Sequence, residues 1–163
     1  MIEFRIGLLV GSQSGNAHLV AEAVMDRARE WGMAARILNA AGDAVTDYSN
    51  IDGVLICTSS HGSGELPDNL TASWQWLSSN RPDLSHLGYA VIALGDTTYS
   101  ATYCAAGDTM DRLFEALGAR RVQGRLRIDA SIQPFADDEA IGWLEQWVPG
   151  VRRQLEDIRC SRN

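Results

Sequence analysis

An apolar run, Ile6-Gly7-Leu8-Leu9-Val10, leads straight into Gly11-Ser12-Gln13-Ser14-Gly15-Asn16, and this junction limits the choice of fold more than any other stretch. A short, unbroken apolar run is the pattern of a strand buried on both faces. The residues that follow place Val20, Val24, Ala28 and Trp31 along one face of an amphipathic helix. A strand buried on both faces and followed by a helix belongs in a parallel sheet covered by helices on both sides. The turn between them suits a phosphate. Backbone N–H groups and the positive end of the helix dipole face the anion, and Ser12 and Ser14 can add hydroxyl donors. The turn holds no lysine or arginine, so neutral donors would hold the phosphate almost alone, as befits a monoester at one end of a ligand. Neither the Gly-x-x-x-x-Gly-Lys loop of a nucleoside triphosphate site nor the Gly-x-Gly-x-x-Gly of a dinucleotide site is present. The same residues would also serve as a plain βα turn capped by Ser or Asn.

Strand and helix patterns then alternate to the end of the chain. Residues 35–38 read as a short strand, and the polar stretch 41–50 stands where a regular helix would otherwise lie. Residues 53–58 form a central strand, 69–79 a helix, and 89–94 another fully apolar strand. Residues 104–117 read as a helix with Met110, Leu113, Phe114 and Leu117 inward, stopped by Gly118. Residues 122–128 are a mixed-polarity edge strand, and 137–157 a last helix with Leu144, Val148, Val151 and Leu155 inward and a kink expected at Pro149. The whole predicts one α/β domain over residues 1–163, doubly wound, with a five-stranded parallel sheet in the order 2-1-3-4-5. Ligands of such sheets sit at the carboxyl ends of the strands, at the topological switch point.

Charge and cysteine content narrow the partners. A net charge of −7 gives no basic footprint for nucleic acid or an anionic membrane and suits a basic-faced protein. No apolar stretch approaches the ~20 residues of a membrane span. The start of the chain lacks a signal-peptide pattern, so a cytoplasmic location is expected. Cys57, Cys104 and Cys160 form no C-x-x-C pair, so neither a disulfide framework nor a zinc site is indicated.

The three most apolar strands are followed by the three most distinctive loops. After the phosphate turn comes Ser59-Ser60-His61-Gly62-Ser63-Gly64-Glu65-Leu66-Pro67-Asp68-Asn69, whose glycines allow close approach to a flat ligand or a peptide that changes conformation. The third, after Leu94, is Gly95-Asp96-Thr97-Thr98-Tyr99-Ser100-Ala101-Thr102-Tyr103-Cys104, with an aromatic ring on either side of a small-residue stretch. Phosphate donors, a pliant peptide and an aromatic platform together suit a planar ring bearing a phosphate, and flavin mononucleotide (FMN) fits that description.

On these residues the chain resembles the flavodoxin family, and within it the short-chain flavodoxins of the YqcA and MioC type. Ser12, Gln13, Ser14, Gly15, Asn16 and Ala17 are similar to the family's phosphate loop, with serine where threonine is commoner. The run from Ser60 to Asn69 is similar to the middle flavin loop, and Ala93 to Tyr99 to the third. The resemblance implies that FMN is bound by those phosphate-loop residues, by Ser59, Ser60, His61, Gly62, Ser63 and Gly64, and by Leu94, Gly95, Asp96, Tyr99, Tyr103 and Cys104. Two features depart from the family's pattern. Three residues separate Tyr99 from Tyr103 where relatives have two between their aromatics, and His61 stands where many flavodoxin-like domains carry an aromatic residue.

The expected function is a low-potential, single-electron carrier, not an enzyme. The Gly62-Ser63 peptide would turn its carbonyl toward flavin N5 when that atom gains a proton, and Tyr99 would stack on the ring. Glu65, Asp68 and Asp96 would disfavour further negative charge on the flavin. The resemblance implies a donor of the flavodoxin/ferredoxin NADP reductase type, an acceptor among metabolic redox enzymes, and a monomeric carrier. An FMN-dependent NAD(P)H quinone or azo reductase on the same fold is the alternative, although the long loops that usually build its second pocket are missing. A receiver-type signalling domain is excluded, because the strand end Cys57-Thr58-Ser59 offers no acceptor aspartate.

Overall fold

A computed structural model describes residues 4–12, 15–59, 65–95, 105–122, 126–129 and 136–161, except for the side chains of residues 16, 129, 136, 137, 148 and 151. The elements run β1 (Arg5–Gly11), α1 (Asn16–Glu30), β2 (Ala34–Ile37), β3 (Gly53–Ser59), α2 (Asp68–Asn80), β4 (Gly88–Gly95), α3 (Ala105–Ala116), β5 (Arg120–Arg121), β6 (Leu126–Asp129) and α4 (Ala136–Ser161). All observed pairings are parallel, in the order β2-β1-β3-β4-β5, with β6 also pairing β4. The doubly wound fold and strand order read from the sequence are those observed.

The sheet divides two apolar layers. On one face α1 and α4 pack against Ile6, Leu8, Val10, Leu55 and Ile92 through Val20, Val24, Leu144 and Leu155. On the other, α2 and α3 pack against Leu9, Val54, Ile56 and Val91 through Leu70, Leu77, Met110 and Phe114. Alternate residues of one strand thus feed opposite layers, which is why the interiors of β1, β3 and β4, from Ile6 to Val10, Val54 to Cys57 and Tyr89 to Leu94, carry no polar break. The polar stretch 41–50 forms no helix; it crosses the α2–α3 face with Tyr48 buried edge-on to Phe114 at 6.4 Å. One buried ring covers enough apolar area to anchor this irregular backbone against the sheet.

The fifth position differs from the single strand predicted for 122–128. Arg120 and Arg121 pair with Gly88 and Tyr89, and pairing resumes with Leu126 opposite Ile92. The edge chain therefore takes five steps where β4 takes three, and one uninterrupted ladder is impossible. Asp111 of α3, only 2% exposed, ties this edge down. Its Oδ1 accepts the Tyr89 hydroxyl at 2.5 Å and Arg121 Nε and Nη2 at 3.1 and 2.9 Å. Burial, with Asp111 beside it, pushes the Tyr89 hydroxyl well above its ordinary pKa, so it stays a donor.

A second charged cluster closes the amino ends of the strands, away from the loops of interest. Asp52 accepts the Arg5 backbone N–H at 2.9 Å and Arg5 Nε at 3.2 Å, and Arg159 Nη2 of α4 reaches the same carboxylate. Burial alone would raise the Asp52 pKa; the bonds from Arg5 and Arg159 outweigh it, and the carboxyl lies below its usual 3.8. A carboxylate with a depressed folded-state pKa stabilises fully above its unfolded value and ceases to do so as pH falls through the folded one. Stability should therefore decline with acid from about pH 5 downward. Asp52→Asn should flatten that limb, as read by urea midpoints between about pH 2 and 7; an unchanged acid limb would show that other carboxylates govern it.

Candidate functional site

The parallel register brings three strand ends level. Gly11 lies opposite Thr58, Ser59 opposite Leu94, and Gly95 opposite Asp129. From β1 the chain passes to α1 on one face, and from β3 to α2 on the other. The helices that follow β1 and β3 thus lie on opposite faces, which makes the carboxyl ends of these two strands the switch point of the sheet order, where a ligand crevice forms in such folds.

Gly11 is the tightest point. A Cβ there would fall 2.4 Å from Thr58 Oγ1 and 2.9 Å from Leu70 Cδ2, both of buried residues. Only glycine lets β1 run this close to β3 and α2. The Ser59 hydroxyl donates to the Gly11 carbonyl at 3.4 Å, joining the two strand ends again. Beyond Gly11, the Ser12 N–H donates to Asn69 Oδ1 at 3.0 Å, and the Gly15 N–H donates to Ser12 Oγ at 2.8 Å. Gly15 takes a left-handed conformation, φ 89°, at the N-cap of α1. Among the described residues no side chain caps that helix, and no acidic residue stands in its first turn. Arg27 and Arg29 lie in its last turn, where they complement the negative end of the helix dipole.

Of the residues the sequence nominates, Ser12, Gly15, Asn16 (backbone only), Ala17, Ser59, Leu94 and Gly95 fall within the described structure, and it gathers them at this crevice. Ala17 and Leu94 have side chains buried in the α1–α4 layer, so each offers the crevice its backbone alone. Gln13, Ser14, Ser60, His61, Gly62, Ser63, Gly64, Asp96, Tyr99, Tyr103 and Cys104 lie outside the described residues. Glu65 and Asp68 are exposed beside the end of the middle loop. Cys57 sits one strand position from Thr58 but faces inward, its thiol donating to the Ala17 carbonyl at 3.4 Å; burial pushes its pKa up to about 12, so it is no redox thiol at neutral pH.

Sequence reasoning missed Asn39. This buried residue, two positions after β2, accepts the Val10 N–H at 2.9 Å and donates Nδ2 to the carbonyls of Val10 and Asn69 at 2.8 and 2.9 Å. A lone asparagine after a strand reads as a turn residue, and no local pattern marks a partner 30 residues away.

A phosphate and a planar ring fit what is present. Among the described residues, the strand ends meet an α1 N-terminus with no side-chain cap and no acidic residue in its first turn, beside a left-handed glycine with open space where a Cβ would stand. Comparison with known proteins agrees. The flavodoxin family profile matches residues 8–143. The chain is 35% identical over 152 residues to flavodoxin YqcA of Escherichia coli K12, covering 87% of this chain and 95% of that one. It is 34% identical over 152 residues to the sulfite reductase [NADPH] flavoprotein alpha-component of Vibrio cholerae, matching 93% of this chain but spanning only 24% of that longer protein. Among solved structures, a flavodoxin of Pseudomonas aeruginosa, in a cysteine-to-serine variant, superposes with a TM-score of 0.82 at 30% identity, over 91% of this chain and 99% of that one. With the profile spanning most of its length, the chain belongs to the flavodoxin family.

Proposed function

We propose that this chain, acting as one unit, binds FMN across the carboxyl ends of β1, β3 and β4 and carries electrons singly between protein partners. The level meeting of those strand ends above an uncapped, carboxylate-free helix N-terminus carries the reading. FMN supplies the redox chemistry when bound.

The chain's own residues hold and orient it. The Ser12 hydroxyl, whose oxygen already accepts from Gly15, keeps its proton to give to the phosphate. Gln13, Ser14 and the backbone N–H groups of Asn16 and Ala17 complete the phosphate turn. Ser59, Ser60, His61, Gly62, Ser63 and Gly64 border the ring on one side. Gly95, Asp96, Tyr99, Tyr103 and Cys104 border it on the other, Tyr99 as the stacked ring. When flavin N5 carries a proton, the Gly62 carbonyl would accept a hydrogen bond from it. The net charge of −7 disfavours a second negative charge on the flavin and steers basic-faced partners to the crevice. Those partners are a flavin-dependent NADP reductase as donor and a metabolic redox enzyme as acceptor. The carrier is monomeric and cytoplasmic; among the described residues no helix is long and apolar enough to cross a membrane.

The test is reconstitution. Protein mixed with FMN and freed of excess should retain about one flavin per chain and take up electrons in two resolved one-electron steps on titration. It should not consume NADPH by itself. No retained flavin would overturn the site, and NADPH turnover by the chain alone would move the assignment to the reductase.

A further inference from the structure

The geometry points to Asn39 and Asn69 as positioning residues that set the phosphate turn by acting through Ser12, an inference that rests on the FMN reading above. Strand β2 ends at Ile37, and its last bond to β1 is from the Leu38 N–H to the Leu8 carbonyl at 2.8 Å. Backbone groups of a strand face alternate neighbours, so the next β1 residue to face this side is Val10, where β2 has already ended. Its buried N–H and carbonyl would otherwise lack partners, and buried unpaired backbone groups are destabilising. The Asn39 amide takes the place of the missing peptide: Oδ1 accepts from Val10 N–H, and Nδ2 donates to Val10 O. The reverse orientation would set two donors face to face and an oxygen against two carbonyls, so the amide can sit only one way round.

The remaining Nδ2 proton goes to the Asn69 carbonyl in the first turn of α2, and Asn69 in turn accepts the Ser12 N–H with its own Oδ1. Val10, Asn39, Asn69 and Ser12 thus close a ring through the β1 backbone. Two consequences follow for the site. The Ser12 N–H is already engaged, so Ser12 meets a phosphate through its hydroxyl. The same ring anchors the start of α2, so Ser12 after β1 and Asn69 at the start of α2 are both tied to one buried amide.

The experiment is to compare FMN with riboflavin, which presents the same ring without the phosphate. In Asn69→Ala, FMN affinity should fall about tenfold, the worth of one well-made hydrogen bond to a preorganised donor. Riboflavin affinity should hold within about twofold, and the thermal midpoint of the flavin-free protein should barely move. A fall in both affinities together, or in neither, overturns the inference, because a purely structural role cannot lower the FMN-to-riboflavin ratio alone. Asn39→Ser is the second variant; it should melt at lower temperature and show the same lowered ratio. A parent protein that holds neither flavin overturns the FMN reading itself, and this inference with it, before any variant is compared.

Discussion

Gly11→Val is expected to lower FMN affinity by about a hundredfold or more, the largest effect of any single change in the crevice. The side chain must enter space where even its first carbon lies 2.4 Å from Thr58 Oγ1 and 2.9 Å from Leu70 Cδ2. Neither neighbour can yield. Thr58 and Leu70 are buried, and the Thr58 hydroxyl donates to the Ser59 carbonyl at 2.9 Å. What moves is β1, carrying Ser12 and the N-terminal turn of α1 away from β3. Two displaced bonds to a phosphate, each worth about 1.5 kcal/mol or more, amount to that hundredfold. Overpacking should also cost about 1–3 kcal/mol of folding stability. In a Thr58→Ala background, Gly11→Ala should recover part of the loss, because the shortest contact is gone. Equilibrium dialysis measures the affinity, and a valine variant that holds FMN like its parent would show that the phosphate turn does not depend on this approach.

Asp111→Ala should cost about 2–4 kcal/mol of stability while leaving FMN affinity of the folded protein unchanged. The carboxylate is buried and gathers the Tyr89 hydroxyl and the Arg121 guanidinium at the sheet edge. Removing one member of a buried charged pair usually costs more. The figure is reduced here because the Arg121 side chain is 42% exposed and can turn to water. The Tyr89 hydroxyl keeps only the backbone carbonyl of Asp111 of those two acceptors, at 3.2 Å. Tyr89→Phe, which removes the donor together with its need, should cost less, about 1 kcal/mol. Urea unfolding with an unchanged slope would place the loss in the native state. A loss under about 0.5 kcal/mol for Asp111→Ala would mean that β5 is held to β4 by backbone pairing alone.

Most of the fold could be read from local pattern because the signals in β1, β3 and β4 are local. An apolar run followed by glycine needs no distant partner to be recognised as a strand end, and the inward residues of α1 and α3 repeat at helical spacing. The loops proposed to hold the flavin were nominated on the same ground: each is a contiguous string after one of those strands. The edge was read less well. Arg120 and Arg121 carry no strand pattern and pair only because Gly88 and Tyr89 present a free edge, with Asp111 to receive the arginine.

Asn39, Asp52 and Asp111 show where reading along the chain stops. Asn39 reaches Val10 and Asn69 across 29 and 30 residues, and Asp52 reaches Arg5 and Arg159 across 47 and 107. The amino-acid sequence alone determined that this chain is a flavodoxin-like parallel sheet, since its strands and helices are written in consecutive residues. Only the tertiary structure decided which polar side chains hold the loops and the sheet edges in place. A buried amide or carboxylate is defined by the unpaired backbone and charged groups that folding brings to it, and these come from distant parts of the chain.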